Sequence, residues 1–284
     1  MASKKPYETY IARANKDIAI AVAHAARPFQ IEVRFIGGLN TKQKNAFKKA
    51  ADRWCRVIVG DLPSVNVDGE VVDDLLILAE GTNIDGEGNV LGQAGPTRLR
   101  PKSAGKAAFL PAKGEMQFDT ADLKAMEKDG SLNDVICHEM GHVLGIGTIW
   151  DLKGLLKGAQ GSNPTFRGAM AMKEYGKLRG VNSAPVPVEA KGGAGTRDSH
   201  WRDSLFVNEL MTGYVSEPPN PMSRMTVASL QDLGYVVNLD LAEKYSLPDH
   251  LAMAESGALA PHGLVERGVM LPNIPMVLPE DSLV

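Results

Sequence analysis

Residues 137–150 read CHEMGHVLGIGTIW, and within them His138, Glu139 and His142 form the pattern H-E-x-x-H. On a helix, positions i and i+4 share one face, so His138 and His142 can offer imidazole nitrogens to a single zinc ion. Glu139 is turned about 100° from His138, which suits a base beside the ion better than a ligand to it. Gly141 and Gly145 each weaken a helix by about 1 kcal/mol relative to Ala, so their presence implies a close backbone approach or a sharp turn. A chance occurrence of the pattern would bury three ionisable side chains without partners, at a high desolvation cost. A catalytic zinc site takes three protein ligands and leaves one position open. A third histidine six residues after His142 would complete it, but that position is Thr148.

The flanking residues define the helix that carries the motif. Ser131 is expected to cap it, with Asp134 three residues on in capping-box position. Leu132, Val135, Ile136, Val143 and Leu144 mark it as buried, and Gly145 ends it. Further upstream, QIEVRFIGG alternates Ile31, Val33 and Phe35 against Glu32 and Arg34 as a half-buried strand should. Residues 41–57 form a helix capped by Asn40 or Thr41, with Phe47, Ala50, Trp54 and Val57 at helical spacing and Gly60 and Pro63 beyond it. Leu75 to Ala79 reads as a buried strand. Residues 81–114 turn to Gly, Pro and Asn, an irregular segment holding one extended piece, NVLGQAGP. IDGEGN within it lacks a calcium loop's ligand pattern and reads as a solvated turn. EMQFD is a brief strand, and residues 120–129 form a helix capped by Asp119 or Thr120.

Residues 1–29 are expected to form a helical extension, with Ile11, Ile18 and Val22 on one side. Beyond the motif, residues 146–199 are loop-rich around one helix at 169–178. Residues 225–233 form another helix, with a strand after Gly234, and residues 240–284 read as an unperiodic tail. The expected organisation is therefore an extension at 1–29, a catalytic domain at 30–239 divided near residue 145, and a tail at 240–284.

The 284-residue chain has 44% hydrophobic and 23% charged residues and a formal charge of −3, which fits a globular protein and gives no electrostatic case for nucleic-acid binding. No apolar run reaches the length of a membrane span. The lysine-containing start has no apolar segment readable as a signal peptide, so the expected location is cytoplasmic, or outside by a leaderless route. The two cysteines, Cys55 and Cys137, allow at most one disulfide. Cys137 points away from His138 and reads as a buried structural thiol rather than a ligand.

The candidates for a third ligand are His24, His200, His250, His262 and the carboxylate of Glu209. His24 lies in an Ala-rich stretch, while His250 and His262 lie in the tail. His200 follows GGAGTRDS, a run able to swing a side chain over a cleft. Glu209 is its rival, since some zinc peptidases use a glutamate.

Three separated blocks, HEMGHVLGIGTIW, SHWRDSLFVNELMTGY and SRMTVASLQDLGYVVN, resemble the leishmanolysin family of metzincin proteases, particularly its bacterial members. In that family the third histidine follows an insertion, so the absence of His at position 148 is expected. The resemblance implies His200 as the third zinc ligand and Met211 as the Met-turn residue beneath the metal. It implies an α+β, metzincin-like fold, with an N-terminal α/β lobe carrying the active-site helix and a loop-rich C-terminal lobe. The implied activity is zinc-dependent endopeptidase cleavage of extended protein or peptide substrates, with Glu139 as general base, and family members are secreted. NVLGQAGP resembles the substrate-binding edge strand. Tyr214 is a candidate oxyanion donor, although its distance of three residues from Met211 differs from the usual two. The cysteine framework of eukaryotic members is not expected here, and no cysteine-switch leader is recognisable in these residues. A zinc-stabilised, non-catalytic binding module is the alternative, disfavoured by the presence of Glu139 and His200.

Overall fold

The computed structural model of the chain describes residues 7–88, 90–193, 195–214, 216, 218–256, 268–270 and 274–284. At its centre three strands run parallel: β2 (Gln30–Gly37), β5 (Leu75–Thr82) and β7 (Pro111–Asp119). β1 (Glu8–Arg13) adds antiparallel to β2 at one side, and β6 (Val90–Leu99) adds antiparallel to β7 at the other. The alternation read in β2 holds, since Ile31, Val33 and Phe35 are buried.

α1 (Lys16–Ile18), continued by a π-turn at Ala19–Ala23, precedes β2, and α2 (Thr41–Val57) follows it. Asn40 caps α2 in a complete capping box with Gln43, leaving the Ala46, Phe47, Ala50 and Trp54 face buried. Phe47 stands edge-on between Phe35 of β2 and Phe118 of β7, with ring centroids 6.1 and 5.9 Å away, so three sequence-distant elements share one aromatic contact. α3 (Thr120–Asp129), capped by Asp119, leads to α4 (Leu132–Val143), the helix of the H-E-x-x-H motif. α4 packs against α2 and against β6 and β7. A hairpin of β3 (Val65–Val67) and β4 (Glu70–Val72) contributes to a second, smaller apolar cluster with Leu76, Ala112 and Leu278.

After α4 the chain is mostly loops around the small sheet of β8 (Leu156–Lys157), β9 (Thr165–Phe166) and β10 (Val186–Pro187). α5 (Ala169–Leu178) packs on α7 (Arg224–Leu233), and the short α6 (Asp203–Phe206) lies between them in sequence. Arg53 of α2 joins the two halves of the chain. Its guanidinium donates to Asp134 of α4 at 3.1 Å, to the Asn220 carbonyl at 2.6 Å and to Glu243 at 2.7 Å. α8 (His250–Glu255) lies in the tail, and β11 (Gly268–Met270) and β12 (Met276–Val277) run parallel to β6 on its outer side. Among the described residues no helix is long and apolar enough to cross a membrane.

Several expectations need correction. The first residues are not helical throughout: Glu8–Arg13 form a strand, because the edge of β2 offers a ladder of unpaired backbone groups and Asn15 starts a helix only at Lys16. Residues 1–6 lie outside the described residues. The glycine- and proline-bearing segment after Gly81 is largely ordered, with β6 running through Pro96 by way of irregular register. β6 is not a free edge, since β11 and β12 pair with it. Ser131 does not cap α4 with its side chain; its hydroxyl donates to Asp129, and Asp134 faces Arg53 and Asn220. The expected strand directly after Gly234 does not form; Val237 there makes an isolated bridge to Ile58. The IDGEGN turn is held by Asp119, whose carboxylate accepts the N–H groups of Ile84, Asp85 and Gly86. Cys55 and Cys137 are buried and free.

Candidate metal centre

His138 and His142 lie one turn apart on α4, and the Nε2 atoms of His138, His142 and His200 converge on one point. The three pairwise separations are 3.0, 3.1 and 2.9 Å. Four-coordinate zinc with Zn–N bonds of about 2.0–2.1 Å holds ligand nitrogens about 3.3 Å apart, so the triangle is close to that size. Each ring is oriented through its other nitrogen. The Nδ1–H of His138 donates to the Leu210 carbonyl at 2.7 Å, that of His142 to Ile146 at 2.8 Å, and that of His200 to Thr196 at 2.9 Å. With every Nδ1 bound to an acceptor, every Nε2 presents a bare lone pair. Three lone pairs aimed at one another without a donor repel, and a cation is the group that fits between them.

Burial, which disfavours the protonated form, lowers His138 to about 4 and His142 to about 3; His200 is also well below its ordinary range. For His142 and His200 the neighbouring imidazoles add to the effect. The triad is therefore neutral at pH 7. Glu139 is also buried. Its Oε1 lies 4.0 Å from His138 Nε2, and its Oε2 has no hydrogen-bond partner among the described residues. Burial alone pushes this carboxyl up to about 8, and a bound cation would act in the opposite direction.

The loop after α4 brings His200 to the helix. Thr148, six residues after His142, donates its hydroxyl to the His142 carbonyl at 2.8 Å and so satisfies a helix end. Gly147 has φ +75°, and a Cβ there would stand 2.0 Å from the Ser199 carbonyl oxygen. Only glycine lets the backbone ahead of His200 come this close. Trp150 then stacks on Trp201 with centroids 4.7 Å apart, and Phe166 meets Trp201 edge-on. The end of the first sequence block thus packs on the residue beside His200.

Met211 is buried beneath α4, where a Cβ on Gly141 would be 2.7 Å from its sulfur. Glu209, the rival third ligand, is not part of the triad. Its carboxylate accepts from the Met211 N–H at 2.7 Å, the Ser223 N–H and hydroxyl at 3.0 and 2.7 Å, and the Thr226 hydroxyl at 2.5 Å. Tyr214 is half-buried on the turn beyond Met211, its carbonyl receiving the Thr212 hydroxyl. His24 ends the π-turn near the N-terminus, and His250 faces the Leu205 carbonyl, so neither joins the triad. His262 lies outside the described residues. The roles of the carbonyls of Leu210, Ile146 and Thr196 had no sequence signal, since backbone acceptors carry none; Gly147 could have been flagged as a glycine just beyond a helix end.

The family model for leishmanolysin (peptidase M8) matches residues 105–252, more than half of the chain and the part holding all three histidines. The chain belongs to the leishmanolysin family. The match begins at Gly105, upstream of the three blocks that carry the resemblance, and leaves β1 to β6 outside it. No curated protein matches the chain. A leishmanolysin-family chain is a metallopeptidase, acting on proteins or peptides, and the family is generally zinc-dependent.

Proposed function

We propose that this chain is a zinc-dependent endopeptidase in which His138, His142 and His200 hold the metal and Glu139 is the general base. The observation that carries this reading is the convergence of three bare Nε2 atoms beside a buried carboxylate with an unpartnered oxygen. Zinc bound there supplies Lewis acidity, bringing a water's pKa near 7 and polarising the scissile carbonyl. Glu139, 4.0 Å from a triad nitrogen and with its Oε2 unpartnered among the described residues, takes the proton of the attacking water and delivers it to the leaving amine. His138, Glu139, His142 and His200 are all buried, which limits the exchange of that proton with bulk water. Met211 supports the floor of the site from below α4, in the manner of a Met-turn. Tyr214 is the candidate donor to the oxyanion that develops on the substrate carbonyl.

An extended substrate is expected to run along β6, because that strand packs against α4 and its middle, from Ala94 to Thr97, lies between the stretches paired with β11 and β12. Main-chain pairing would give affinity with little demand on sequence. The test is to incubate zinc-loaded protein with a degenerate peptide mixture and map the cut sites, with Glu139→Ala as the blank. Cuts that vanish in the blank, and that are lost on chelation and regained with zinc, are expected. A wild type that binds zinc yet cuts nothing would favour a metal-stabilised binding module instead.

A further inference from the structure

We infer that Glu209 is a positioning residue for the metal centre, acting on two histidines at once through a closed ring of hydrogen bonds. The inference rests on the zinc reading above. The ring runs from the Met211 N–H to Glu209 Oε2, and from Glu209 Oε1 to the Thr226 hydroxyl. Thr226 Oγ1 in turn accepts the Trp201 indole N–H at 2.8 Å, and the Trp201 backbone N–H donates to the Met211 carbonyl at 2.9 Å, closing the circuit. Trp201 directly follows His200, so the ring fixes the backbone that presents that imidazole. Leu210 lies between Glu209 and Met211 inside the ring, and its carbonyl is the acceptor that orients His138.

The chemistry of the carboxylate is specific. Two donors from Ser223 and one from Thr226 face Oε1, and the Met211 N–H faces Oε2. A glutamine at this position would aim its NH₂ at a donor whichever way the amide lay. Thr226 has its own requirement: one hydroxyl must donate to Glu209 and accept from Trp201. Valine has nearly the same shape and can do neither, whereas serine can do both.

Partners behind metal-binding imidazoles set ring orientation, and losing one weakens metal binding by about 10–100-fold. The experiment measures zinc affinity by competition with a chelator and records the visible spectrum of the cobalt-loaded protein, for Glu209→Gln, Thr226→Val, Thr226→Ser and His200→Ala. Circular dichroism of each metal-free variant confirms folding. Glu209→Gln and Thr226→Val are expected to bind zinc about 10-fold or more weakly and to shift the cobalt bands, while Thr226→Ser restores both. A purely structural role would lower the unfolding temperature and leave affinity and spectrum unchanged, and that result overturns the inference. If His200→Ala loses zinc but Thr226→Val keeps wild-type affinity and bands, the zinc reading stands and this inference fails. A wild type that takes up no zinc would overturn both.

Discussion

Gly147 and Gly154 stand seven residues apart with nearly the same backbone, φ +75° and +68°, and opposite surroundings. A side chain at Gly154 would enter open space, whereas one at Gly147 would drive into the Ser199 carbonyl next to His200. Gly154→Ala should cost only the left-handed backbone penalty, about 1–2 kcal/mol. Gly147→Ala adds overpacking worth about 1–3 kcal/mol against backbone that cannot rotate away, and it displaces His200. Urea denaturation of the metal-free variants reads the first difference. Chelator competition reads the second, with weaker zinc binding expected for Gly147→Ala alone. Equal zinc affinity in the two would mean that the approach of Ser199 is not what sets His200.

Among the elements, α4 is built around an absence. Gly141 leaves room for the Met211 sulfur on one side and the Trp54 ring, 3.0 Å from where a Cβ would be, on another. Trp54 uses that proximity to donate its indole N–H to the Cys137 carbonyl at 2.9 Å. Alanine at 141 would gain about 1 kcal/mol of helix propensity, yet a net loss of stability of about 1–2 kcal/mol is expected once Trp54 and Met211 have to move. Thermal unfolding checks this, and a stabilised variant would show that the packing is loose. Sequence reading reached α2, α3 and α7, because each pairs a side-chain cap with an apolar stripe, Asn40 and Gln43 even forming the full box, and it reached α5, which starts at Gly168 without a side-chain cap. It misplaced the cap of α4, where a tertiary partner, Arg53, draws Asp134 away from the helix end. It also undersized β6 and β7, since the Gly and Pro residues that argue against a strand are here accommodated by bulges and by the close approach of Val143 to Gly114. The three histidines and Glu139 were legible by motif and resemblance. The Glu209–Thr226–Trp201 ring was not, since hydrogen bonds between residues up to 25 positions apart leave no local period.

At the scale of the whole molecule, the tail crosses from one part of the chain to another. Tyr245 and His250 are tied to Phe206 and Leu205, whereas Leu278 is buried with Val65, Val67 and Leu76 near the β3–β4 hairpin. Between these anchors β11 pairs with Val90, Gly92 and Gln93 of β6. A peptide seeking that edge therefore meets a rival tethered to the same chain, present at an effective concentration on the order of millimolar. Its apparent Kd is the intrinsic Kd divided by the fraction of molecules whose edge is open, so binding is weakened. A chain ending at residue 256 should lose about 1.5–3 kcal/mol with the burial of Leu278, yet show a lower KM for long peptides at unchanged kcat. An unchanged KM would mean that substrates do not use this part of β6. Because the rival is intramolecular, dilution does not weaken it: the threshold it sets for substrate is the same at every enzyme concentration.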